Sequence, residues 1–176
     1  MDPTTYLSKL KKGDRQSQKA IYDLYVPIMF GICRRYVKNE QDAEDVMLGG
    51  FLKIFTKIDQ YRGTGNFEGW MKRIMVNESL MFLRKHNMNL SVEISDHQIP
   101  ISPDAESNLQ TKELLALLNK LPTGYRTVFN LYAIEGYKHQ EIADMLGISI
   151  NTSKSQLIKA RKKLKEFLSD EMQIAQ

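Results

Sequence analysis

Helical periodicity runs along nearly the whole chain and fails in one place, between Asn87 and Asn108. That stretch holds Pro100, Pro103 and scattered serines. It also carries Glu93, Asp96, Asp104 and Glu106 without a single Lys or Arg. Proline and like charges oppose a packed element, so the tract reads as an extended acidic linker. One continuous helical bundle is thereby excluded. The expected architecture is all-α: a helical domain over residues 1–87, a linker over 88–108, and a second small helical domain over 109–176 ending in a helix-turn-helix. At 176 residues with 42% hydrophobic content, each half can bury a modest core.

In the first half, Asp2-Pro3 suits a helix start and Gly13 a stop. A second helix is expected from Arg15 to Val37, bent by Pro27, and a third from Asn39, with Met47, Leu48, Phe51, Phe55 and Ile58 on one face. Gly63 and Gly65 make residues 61–66 a loop. A fourth helix follows from Phe67 to His86, with Phe67, Trp70, Met71, Ile74 and Met81 as its core face. Glu78 then falls on the apolar side. In the second half, Leu114, Leu117, Leu118 and Leu121 form a stripe broken at Pro122, and a further helix ends at Gly136.

The last third carries the strongest local signal. His139 to Leu146 reads as a short helix, Gly147 as its left-handed stop and Ser149 as the cap of the next helix. Between Ile150 and Lys165 lie six cations and no acid. Leu157, Ala160, Leu164 and Leu168 would face the domain. Thr152, Ser155, Gln156 and Lys159 would reach base edges, and Lys154, Arg161, Lys162 and Lys163 would meet phosphates of duplex DNA. The net charge of +4 suits such a partner. A solvated basic helix is the plainer alternative, since cations favour helix C-termini.

In the fourth helix Arg73, Asn77 and Arg84 line up beside the Gly-rich loop with Tyr61 and Arg62. Aromatic and basic groups so mixed suit single-stranded nucleic acid, although Phe67 and Trp70 also serve as core. The single cysteine, Cys33, excludes a disulfide framework and reads as a buried thiol. His86, His97 and His139 have no ligand spacing, so no metal, cofactor or catalytic group is expected. The start of the chain does not resemble a secretory signal and no apolar run suits a membrane span, so a cytoplasmic location is expected.

Asp42-Ala43-Glu44-Asp45-Val46, Phe51-Leu52-Lys53-Ile54-Phe55, Tyr61-Arg62-Gly63 and Phe67 through Ile74 with Asn77 resemble region 2 of a bacterial sigma factor of the extracytoplasmic-function group. Leu121-Pro122, Tyr125-Arg126, Val128-Phe129, Glu141-Ile142-Ala143, Leu146 through Ser149 and Thr152 through Leu157 with Ala160-Arg161 resemble its region 4. The resemblance implies binding to core RNA polymerase, with Asp42, Asp45, Gly49 and Lys53 at that surface. It implies promoter DNA as a partner. The upstream (−35) duplex would meet region 4. The melted −10 strand would meet Tyr61, Arg62, Asn66, Trp70, Arg73, Asn77 and Arg84, with Asn77 at a pocket for a flipped base. It also implies an anti-sigma partner, and a path for the linker toward the polymerase cleft. The chain departs from the family where Gln-Glu usually stands: Leu48 and Gly49 are found, followed by Gly50. A close approach of a partner's backbone is one reason for such glycines. Two other readings compete. An autonomous helix-turn-helix repressor or activator would bind paired half-sites as a dimer. An enzyme or ligand receptor would need a phosphate loop, a metal set or a nucleophile–base pair, and none is evident.

Overall fold

The computed structural model describes the backbone of residues 3–86 and 109–174. The expected linker over 88–108 lies outside the described residues. Among those residues the chain is all-α, and it divides into two compact units, Met1–Phe82 and Leu83–Gln176.

The first unit begins with α1 (Pro3–Lys11), which stops at Gly13 in the left-handed region with φ 73°. Asp14 caps α2 (Arg15–Tyr36): its Oδ2 accepts from the Ser17 amide at 2.9 Å and the Ser17 hydroxyl at 2.6 Å. These bonds hold the Asp14 carboxyl below its usual range. Pro27 sits inside α2. Ile21, Tyr25, Met29, Ile32 and Tyr36 recur every three or four residues and are buried. Asn39 caps α3 (Glu40–Thr56) by accepting from the Asp42 amide at 3.0 Å. The buried face of α3 is Ala43, Val46, Met47, Gly50, Phe51 and Ile54. Leu48, expected on that face, is 45% exposed, because 47, 50, 51 and 54 set the stripe and 48 lies beyond its edge.

A 3-10 turn (Ile58–Gln60) and the loop lead into α4 (Phe67–Lys85). Its buried face is Phe67, Met71, Met75, Val76, Leu80 and Leu83. The expected phase is therefore rotated: Trp70 and Ile74 are half-buried and Met81 is exposed. Glu78, which looked misplaced among apolar residues, accepts from Lys53 Nζ on α3 at 2.6 Å. Gly50 is packed tightly from within, since a Cβ there would overlap the Met75 side chain. Its small size thus answers to an internal neighbour. Gly49 meets nothing within 4 Å.

In the second unit, α5 (Leu109–Lys120) buries Leu117 and Leu118 while Leu114 lies exposed, three residues back on the rim. Pro122 starts α6 (Thr123–Phe129), which continues as a π-helical turn over Asn130–Ile134 before Gly136, φ 79°. Next come α7 (His139–Leu146), Gly147 with φ 67°, and α8 (Ile150–Ile174). Leu118, Leu121, Tyr125 and Ala160 form a core joined by Phe129, Leu164 and Phe167. Leu168, expected on the inward stripe, is exposed.

Candidate nucleic-acid interfaces

The hinge of the helix-turn-helix is built from local bonds. The Glu141 carboxylate accepts from the Lys138 amide at 2.8 Å, closing the start of α7. The Ser149 hydroxyl accepts from the Thr152 amide at 2.9 Å, capping α8. Between them the Gly147 amide donates back to the Ala143 carbonyl. The His139 ring clasps the two helices together: its Nδ1 lies 2.9 Å from the hydroxyl of fully buried Ser153. The ring also stacks on Tyr132 of the π-turn at 4.5 Å between centroids. Partial burial, then Lys154 and Arg161, push the His139 pKa below its usual value.

The inward face of α8 is Ser153, Gln156, Leu157 and Ala160. Gln156 is 5% exposed, so it is corrected from a base-edge candidate to a core residue. Its spacing of three and four from Ser153 and Ala160 dictates this, although two polar residues hide the stripe. Thr152 is half-buried, with its hydroxyl 2.9 Å from that of Ser149. Ser155 is exposed and donates to the Thr152 carbonyl at 3.0 Å. Lys154, Lys159, Arg161 and Lys162 are exposed, and Lys163 is half-buried. The Lys159 ammonium lies 5.9 Å from the Tyr125 ring centroid and the Arg161 guanidinium 5.8 Å from that of Tyr132. Cations therefore border an outward face that runs through Asn151, Ser155, Ile158 and Lys162. Ile158 was missed by the sequence reading, although its place three residues after Ser155 puts it on that face.

In the first unit, Tyr61 is corrected as well. It is 5% exposed, its ring packs against Phe67 and Trp70 at 5.1 and 5.5 Å, and its hydroxyl donates to the Gly65 carbonyl at 2.7 Å. Tyr61 staples the loop from beneath and offers no face for stacking. The Asn66 side chain is also engaged: its Oδ1 accepts from the Glu68 amide at 2.9 Å as a cap of α4. Trp70 stacks on Phe67 and is half-buried. Arg73 and Asn77 are exposed along α4 and Arg62 in the loop, while Arg84, exposed as well, falls beyond the first unit's limit at Phe82 and donates to the Met145 carbonyl at 2.9 Å. The left-handed glycines Gly63 and Gly65 shape that loop.

On α3, Asp45 is exposed, while Asp42 and Gly49 are half-buried. Lys53 is tied to Glu78, so it is a strut between α3 and α4 before it is a contact for any partner. Leu48 and Leu52 are exposed one turn apart beside this surface. Among the described residues no cluster of His, Cys, Asp or Glu could hold a metal ion, and no helix is long and apolar enough to cross a membrane.

A helix-turn-helix whose second helix carries an exposed cationic face, and a separate helical unit with a glycine-shaped loop and exposed Arg73 and Asn77, together have the layout of a DNA-binding transcription protein. Residues 21–88 match the family described as Sigma-70 region 2, and residues 111–164 match Sigma-70, region 4. The chain belongs to the sigma factors of RNA polymerase, in the extracytoplasmic-function group, which direct promoter recognition and transcription initiation. It is 26% identical to ECF RNA polymerase sigma factor SigW of Bacillus subtilis (strain 168), over 93% of this chain and 95% of that protein. It is 29% identical to RNA polymerase sigma factor SigV of the same strain, over 77% and 81%. In fold it resembles the sigma factor RpoE in complex with the anti-sigma factor NepR from Bartonella quintana, with a TM-score of 0.57, 24% identity, and 86% and 96% of the two chains covered.

Proposed function

We propose that this sigma factor divides its contacts between the two units, and that residues 88–108 connect a DNA-melting domain (1–87) to a duplex-reading domain (109–176). The outward side of α3, with Asp42, Asp45 and Gly49, meets core RNA polymerase. Arg62, Arg73, Asn77 and Arg84 hold the melted −10 strand, with the rim of Trp70 beside them and Tyr61 and Asn66 shaping the loop from below. Strand opening breaks no covalent bond, and binding of an extruded base offsets the few kcal/mol of unstacking. On α8, Thr152, Ser155 and Lys159 face the −35 duplex, and Lys154, Arg161, Lys162 and Lys163 meet its phosphates. No catalytic group is assigned, and the protein acts in the cytoplasm with its polymerase.

The observation that supports this most directly is the cationic outward face of α8 on a capped helix-turn-helix. The test is transcription by core polymerase loaded with the full chain. Asn77→Ala is expected to reduce open-complex formation while upstream duplex binding persists. Lys154→Ala is expected to weaken duplex binding in both closed and open complexes. Equal effects of the two variants on both steps would refute the division. The solved relative in complex with NepR suggests an anti-sigma partner here too. Co-purification of a small inhibitory protein with the chain from cells whose promoters are silent tests that.

A further inference from the structure

Ile158 is 67% exposed, more than any other large hydrophobic side chain among the described residues. It lies three residues after Ser155 and four before Lys162, so the three share the outward face of α8. Exposed Lys154 and Lys159 border it on either side. A lone exposed isoleucine is ordinary on a protein surface. A β-branched residue is nevertheless a poorer helix former than the Lys, Arg or Gln common along α8. Its setting also selects what can cover it. Surrounding cations repel basic surfaces and favour a polyanion that carries an apolar spot. The major groove of duplex DNA offers one such group, the C5-methyl of thymine.

We infer that Ile158 is a specificity-determining residue of the upstream contact, packing its side chain on a thymine C5-methyl group. This rests on the proposed placement of α8 in the major groove. The contact discriminates against cytosine, which lacks the methyl and would leave its N4 donor facing an apolar group.

The test uses holoenzyme assembled from core polymerase and the full chain. Upstream duplexes are selected from a randomised library, and the enriched thymine is replaced by deoxyuridine, which differs only in lacking the methyl. Wild type is expected to bind the deoxyuridine duplex about fourfold more weakly, the worth of one buried methyl group. Ile158→Ala, which alters no core contact, is expected to bind both duplexes alike and to keep the wild-type melting temperature. Equal binding of the two duplexes by wild type, or an unchanged preference in Ile158→Ala, would overturn the inference while leaving the duplex-reading role intact. Failure to enrich any upstream sequence would overturn that role, and this contact with it.

Discussion

Met75 on α4 lays its sulfur over Gly50 on α3, in the space that a Cβ at Gly50 would need. The neighbouring Gly49 faces open space. The two glycines lie side by side in one helix and should respond differently to the same change. Gly49→Ala is expected to stabilise the protein by about 0.5–1 kcal/mol through helix propensity. Gly50→Ala gains the same propensity but must displace fully buried Met75, an overpacking cost of about 1–3 kcal/mol. Urea unfolding of both variants checks this, and a gain of equal size in both would show that Met75 moves aside freely.

Gln156 and Lys154 stand two positions apart in α8, the first buried and the second exposed. Gln156→Ala is expected to lower stability by about 1–3 kcal/mol, because it opens a buried polar site. Lys154→Ala is expected to change stability by less than about 0.5 kcal/mol. It should instead reduce the salt dependence of duplex binding by about one phosphate contact. Unfolding curves and a salt titration of binding together separate the two roles, which exchange if Gln156 in fact reads bases.

His139 gives the helix-turn-helix a pH dependence of defined sign. Partial burial and the cations Lys154 and Arg161 lower its pKa from 6.5 in the folded state. The unfolded chain therefore takes up the proton more readily. The resulting stability is fully present above about pH 6.5 and is lost as pH falls through that value toward the lowered folded one. The melting temperature of wild type should drop between about pH 7 and pH 5.5 more steeply than that of His139→Gln. Parallel curves would remove His139 from the account.

Cys33 is fully buried, and burial raises its thiol pKa to about 11. The native protein should resist thiol reagents near neutral pH and react fully once unfolded. Rapid labelling of the folded protein would contradict the packing of α2.

Helix ends were legible in the sequence because caps are local events. Asn39, Gly147 and Ser149 each act within four residues of themselves, and each was readable as a start or stop without knowledge of the fold. The helix-turn-helix and its basic band were legible for the same reason. The facing of side chains that can serve either as core or as surface was not. Tyr61 and Gln156 carry both apolar bulk and a polar tip, so composition alone left them as candidates for nucleic acid. Their burial depends on neighbours supplied by other elements. Glu78 likewise looked misplaced until Lys53, 25 residues earlier, met it across two helices. Local hydrogen bonding along the backbone determined where each helix begins and ends, whereas only the packing of one helix on another decided which side of it remained to meet polymerase or DNA.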